Sequence, residues 1–62
     1  MKKYMVISTE RDDQFIEATS FDINNLITIN DKIFVPFYCD KELVGIADFY
    51  GITGIEVVLW DA

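Results

Sequence analysis

The chain has 62 residues, of which 52% are apolar, and its 11 acidic and 5 basic side chains give a net charge of −6. A multidomain protein needs a longer chain and a disordered protein a less hydrophobic one, so one small globular domain is expected. The negative charge also disfavours direct binding to the phosphates of DNA or RNA.

The small size of the domain predicts association. Domains below roughly 70–80 residues usually need a disulfide, a metal, very good packing or a partner subunit to be stable. The single cysteine and the lack of histidine exclude an internal disulfide and argue against a structural zinc site. Nine aromatic residues suit an interface. We therefore expect a homodimer or a higher oligomer.

The N-terminal segment indicates the compartment. The apolar run behind Lys2 and Lys3 covers only Tyr4–Ile7, which is too short for a signal peptide or a membrane span. The lone thiol of Cys39 suits a reducing environment. These features predict a cytoplasmic protein that begins at its natural start and has no membrane partner; if it is phage-encoded, the compartment is the host cytoplasm.

Short apolar segments rich in Val, Ile and Thr dominate the chain and are separated by turn residues, a pattern typical of β-strands. No segment has a helical period over ten or more residues. Six strands are predicted in chain order: Tyr4–Thr9, Phe15–Ile23, Leu26–Asn30, Ile33–Tyr38, Leu43–Tyr50 and Ile55–Trp60.

The first half of the chain contains two predicted turns. Asparagine tolerates positive φ, so Asn24-Asn25 predicts a two-residue hairpin that places Phe21 opposite Thr28. A second turn is expected at Asn30-Asp31-Lys32.

Further turns are predicted in the second half. A two-residue loop at Asp40-Lys41 sets Pro36 opposite Gly45. Because proline has no N–H to donate, Pro36 is expected at a sheet edge or at a bulge. The connection Gly51–Gly54 allows one 3₁₀ turn.

Together these elements predict an all-β single domain, an antiparallel meander of five or six strands. Both alternating faces of the second half are apolar, which indicates a small closed barrel or a sheet whose second face meets another subunit. The succession Val44-Gly45-Ile46, Gly51 and Ile55–Val58 resembles the end of SH3-like barrels in architecture. An SH3-like or partly open barrel is therefore expected.

The residue types offer little for catalysis. Histidine is absent, and Ser8, Ser20 and Cys39 have no neighbouring base in the sequence. The spacing of Glu10, Asp12 and Asp13 matches no calcium loop, and the three glycines form no phosphate-binding motif. We expect a non-enzymatic protein without metal or cofactor.

Acidic residues are spread over the C-terminal third, where Glu42, Asp48, Glu56 and Asp61 have no compensating cation. One interpretation is that they keep an apolar oligomer soluble. The other is that they occupy a basic groove intended for nucleic acid. Asp48, predicted in mid-strand, is interpreted as protection against edge pairing or as a contact for a cation on a partner. Trp60 is interpreted as a core residue or an interface anchor.

The sequence therefore predicts a small acidic binding protein that self-associates and inhibits a host macromolecule. The expected partner is a host protein, and a basic surface on that protein is one option. In size, acidity and β content the chain resembles phage or mobile-element proteins that inhibit host defence. A ligand-binding sponge and a structural assembly subunit are the alternatives. The candidate partner-binding residues are Asp48, Tyr50, Glu56 and Trp60, followed by Glu17 and Asp22.

Overall fold

A computed structural model describes residues 1–60, with the Trp60 side chain left out of the description. The chain forms seven β-strands: β1 Lys2–Ser8, β2 Gln14–Ala18, β3 Ser20–Phe21, β4 Ile27–Ile29, β5 Lys32–Cys39, β6 Glu42–Asp48 and β7 Ile52–Trp60. All pairings are antiparallel, which confirms the predicted all-β fold. None of these residues belongs to a helix that could cross a membrane.

The strands form two sheets that do not close into a barrel. Sheet A has the order β2-β1-β7. In sheet B, β5 pairs with β6 along one side and with both β3 and β4 along the other. The predicted five or six strands become seven because the segment predicted as one strand, Phe15–Ile23, divides at Thr19 between the two sheets.

Thr19 holds this division by bonding to β5 and the turn after it. Its backbone N–H donates to the carbonyl of Tyr38 at 2.8 Å, and its hydroxyl donates to the same oxygen at 3.0 Å. The hydroxyl also accepts a hydrogen bond from the N–H of Asp40 at 2.8 Å. The chain thus leaves sheet A and enters sheet B with its backbone groups bonded.

The predicted Asn24-Asn25 hairpin is wrong, and Pro36 explains why. β3 and β4 lie end to end along β5 instead of pairing with each other. Asp22 donates its N–H to the carbonyl of Pro36 at 3.2 Å, but the reciprocal bond is missing because proline has no N–H. The ladder of β3 therefore stops, and the chain loops out before β4 rejoins β5.

Pro36 thus lies in a strand paired on both sides, with its missing N–H facing the gap between β3 and β4. It pairs with Ile46, not with the predicted Gly45. The predicted two-residue loop at Asp40-Lys41 is present, but an extra residue, Val44, bulges from β6 and shifts the register by one.

Other connections also differ in detail. The turn at Asn30-Asp31 is confirmed, and both residues have positive φ, as a type I′ turn requires. No 3₁₀ turn occurs in residues 1–60, because β7 begins at Ile52 directly after a turn at Tyr50-Gly51. β7 also carries two bulged residues opposite β1, Thr53 and Val58.

The core lies between the two sheets and is small. Its centre is a cluster of three aromatic rings, Tyr4, Phe21 and Phe37, with centroids 5.3 to 5.6 Å apart. Edge-to-face and tilted contacts of this kind are worth about 0.5–1.5 kcal/mol per pair beyond the burial of area. The buried hydrophobic residues are Tyr4, Val6, Ala18, Val35, Phe37 and Ala47.

Candidate functional site

Three connections meet at one end of the molecule, which we call the acidic end. They are the loop 9–13, the turn 30–31 and the turn 49–51, together with the strand ends that they join. Thr9 donates its N–H to the carbonyl of Gly51 at 2.9 Å, which ties the first connection to the third. Phe49 donates its N–H to the carbonyl of Ile33 at 2.8 Å, which ties the third connection to the start of β5.

The acidic end concentrates negative charge. Five carboxylates face two cations there, a net charge of −3, which is half of the charge of the whole chain. The seven residues are Glu10, Arg11, Asp12, Asp13, Asp31, Lys32 and Asp48. A local excess of this kind draws a positively charged surface toward it and raises the rate of encounter.

An open groove of about 380 Å³ lies at the acidic end, and we call it the turn groove. Its apolar wall consists of Ile33, Phe49 and Tyr50, and all three side chains are substantially exposed, with Tyr50 at 70%. Asp31, Lys32 and Asp48 complete the lining. The groove therefore combines two aromatic rings with two carboxylates.

Asp48 shapes this groove. It ends β6, whereas the sequence interpretation placed it in mid-strand. Its carboxylate accepts a hydrogen bond from the N–H of Tyr50 at 2.9 Å and lies 3.4 Å from the guanidinium of Arg11. The Asp48 carboxylate therefore stabilises the turn. The second carboxylate of the groove belongs to Asp31.

The remaining candidate residues lie elsewhere. Glu17 and Glu56 are exposed on the outer face of sheet A, where Glu17 pairs with Lys3 and Glu56 pairs with Met5. Trp60 pairs with Lys2 at the end of the molecule opposite to the acidic end, and its side chain lies outside the described residues. Of the six candidates, only Asp48 and Tyr50 are brought together.

Asp22 has a local role in the loop between β3 and β4. Its carboxylate accepts hydrogen bonds from the Asn25 side-chain amide and the Asn24 N–H, both at 2.9 Å. These bonds favour the charged form and lower the pKa of Asp22, the Asn25 amide having the larger effect. Asp22 is therefore a turn-forming residue, and the asparagines that suggested a hairpin serve as its donors.

Sequence reasoning missed Ile33, Phe49 and Asp31 as neighbours of Tyr50. The available signal was Asp48 followed by Gly51, because aspartate and glycine three residues apart are typical of a tight turn. The apolar residues between them favoured a continuous strand instead. In residues 1–60 no group of three or more acidic or cysteine side chains is arranged to hold a metal ion.

Comparisons with protein-family models, curated sequences and solved structures gave no match to this chain.

Proposed function

We propose that the protein is a non-enzymatic binding domain that attaches through the turn groove to a protein with a basic surface and inhibits it. The observation that supports this function is the placement of exposed Phe49 and Tyr50 among the carboxylates of the acidic end. Aromatic side chains supply much of the binding energy in protein interfaces, and Tyr is among the residues enriched at such sites.

The chemistry of the groove favours a lysine or arginine side chain from the partner. A cation over an aromatic ring gains about 0.5–2 kcal/mol, depending on how far it is desolvated. Asp31 is positioned to supply the opposite charge, while the surrounding acids steer the encounter. Inhibition follows if the partner's basic surface is one that it needs for its own substrate, as in a nucleic-acid-binding enzyme. A phage or mobile-element origin fits such a role.

The proposal is tested by affinity capture from host cells, identification of the captured protein, and titration of that purified protein. Tyr50→Ala is expected to weaken binding by at least about tenfold, as an aromatic anchor does when it is truncated. Asp31→Asn is expected to slow association and to reduce its dependence on ionic strength. The partner's activity is measured alongside, and its inhibition should weaken in parallel with binding.

A matched control is Glu17→Gln, which removes one carboxylate from the outer face of sheet A, away from the groove. Its affinity should stay within about twofold of the native value, since a distant exposed charge contributes little. If Tyr50→Ala and Asp31→Asn bind as well as the native protein, the turn groove is not the binding site.

A further inference from the structure

The backbone N–H of Ile33 lies at the turn groove and takes no part in the pairing of β4 with β5. Ile29 and Lys32 close the two-residue turn between these strands, so they form a hydrogen-bonded pair. The next pair along the hairpin, Thr28 with Ile33, is therefore a non-hydrogen-bonded one. The N–H and the carbonyl of Ile33 thus point away from β4, toward the segment that follows β6.

Phe49 lies on that side and completes one of the two bonds of a regular antiparallel pair. Its N–H donates to the Ile33 carbonyl at 2.8 Å, whereas its own carbonyl accepts from the N–H of Ile52 at 3.3 Å. The reciprocal bond from Ile33 is not formed, and no other group among residues 1–60 accepts from this N–H. Because the chain turns away at Tyr50-Gly51, the donor faces the turn groove.

Building on the proposed function, we propose that the partner enters the turn groove as an extended backbone segment. One of its main-chain carbonyls accepts from the Ile33 N–H, and an adjacent arginine or lysine side chain lies against Tyr50 and Asp31. Such a segment continues the hydrogen bonding of β5 past the point where β6 ends, which is how extended peptides add to sheets. The net charge of −3 at the acidic end favours a basic segment over a neutral or acidic one.

The surroundings of the Ile33 N–H favour a ligand that brings an acceptor. The neighbouring side chains of Ile33 and Phe49 are 45% and 40% exposed, so a ligand that packs on them also excludes water from the donor. A donor that is covered without an acceptor weakens binding by about fivefold or more. A cationic side chain alone brings no acceptor, whereas extended backbone does. The groove therefore distinguishes a basic peptide from a bare cation.

Amide-proton NMR of the full chain tests the proposal with two probes, the peptide acetyl-Gly-Arg-Gly-amide and methylguanidinium. In the free protein, the Ile33 amide should exchange with solvent at least about tenfold faster than that of Val35, which pairs with Ala47. Saturating peptide should slow the exchange of Ile33 by at least about threefold, as one added hydrogen bond does. Methylguanidinium should shift the signals of Tyr50 and leave the exchange of Ile33 unchanged.

A proline variant removes the donor alone. Ile33→Pro eliminates an N–H that makes no hydrogen bond in the fold, and it should weaken binding of the peptide by about three- to tenfold. Ile33→Val is the matched control, because it shortens the side chain and retains the N–H. Its affinity should stay within about twofold of the native value. The amide spectrum of each variant shows whether the fold is retained.

The outcomes separate this proposal from the proposed function. If both probes shift Tyr50 but the peptide does not slow the exchange of Ile33, the groove binds cations without backbone, and only the present proposal is wrong. If neither probe shifts Tyr50 even at tens of millimolar, the proposed cation site fails as well. Slow exchange of Ile33 in the free protein also overturns the proposal, and that measurement does not depend on the folding of Ile33→Pro.

Discussion

The carboxylate of Asp48 accepts a hydrogen bond from the backbone N–H of Tyr50 at 2.9 Å, so the last residue of β6 also shapes the turn that leads into β7. The same carboxylate lies 3.4 Å from Arg11, but the two side chains are 39% and 27% exposed. An ion pair this accessible contributes little to stability. The hydrogen bond to the turn is therefore the more important of the two interactions.

Replacement of Asp48 separates these contributions. Asp48→Ala removes both and is expected to lower the free energy of unfolding by about 0.5–1.5 kcal/mol. Asp48→Asn retains an oxygen acceptor for the Tyr50 N–H and should cost at most about 0.5 kcal/mol. Urea unfolding at one fixed protein concentration measures both variants. Equal losses for the two would mean that the charge, and not the hydrogen bond, stabilises the turn.

Gly51 is required by the same turn. Its φ is +82°, and a Cβ atom there would lie 2.5 Å from Cγ of Glu10 and 3.1 Å from the hydroxyl of Ser8. Gly51→Ala is expected to cost about 1–3 kcal/mol from backbone strain and crowding. Gly54→Ala is the control, because its Cβ would meet only Ile7 at 3.9 Å. A loss no larger than that of the control would contradict the turn geometry.

A glycine in the turn at Asn30-Asp31 is expected to raise the stability of the fold and to weaken binding to the proposed partner. Asp31 has a φ of +65°, and Asn-Gly is the preferred pair for a type I′ turn. Asp31→Gly should stabilise the fold by about 0.5–1 kcal/mol while it weakens the proposed partner complex. Asp40→Gly, at a φ of +58° in the opposite hairpin loop, should stabilise without affecting the partner. Thermal unfolding and partner titration of both variants check this prediction.

Asp22 predicts a dependence of stability on pH. Its pKa is lowered from the ordinary value of 3.8 because the Asn25 amide and the Asn24 N–H donate to the charged carboxylate. Its stabilising effect is therefore fully present above the unfolded-state pKa and is lost as the pH falls through the lower folded-state pKa. Asp22→Ala should thus be less stable than the native protein at neutral pH, and the difference should shrink in acid.

Urea midpoints of the native protein and Asp22→Ala, measured from neutral pH down to about pH 2, check this expectation. Asp31→Ala is the control, because it also removes a carboxylate from a turn. The Asp31 carboxylate accepts no hydrogen bonds like the two that Asp22 accepts from Asn24 and Asn25. A difference between the native protein and Asp22→Ala that stays constant across the whole range would contradict the role assigned to the Asp22 charge.

Local patterns in the sequence were sufficient for most of the strands and for two of the hairpins. The type I′ turn at Asn30-Asp31 and the loop at Asp40-Lys41 depend on residues that tolerate positive φ, and those residues are read directly from the chain. The apolar alternation of β5 and β6 likewise predicted a sheet with two apolar faces. One of these faces, with Val35, Phe37 and Ala47, forms part of the core.

Contacts between residues that are far apart in the sequence could not be predicted from such local patterns. The absence of a donor at Pro36 ends β3, but this effect depends on the pairing of Pro36 with Asp22. The division of the chain at Thr19 depends on Tyr38 and Asp40, about 20 residues away. The turn groove was missed for the same reason, because Ile33 and Phe49 become neighbours only through a backbone bond between strands.

The bulged residues Thr53 and Val58 leave β7 with a regular outer edge only at Gly54–Val57. So short a ladder is a poor template for adding strands from other molecules, which is how sheets grow into fibrils. The two bulges therefore lower the tendency of the folded protein to add strands from other molecules along β7.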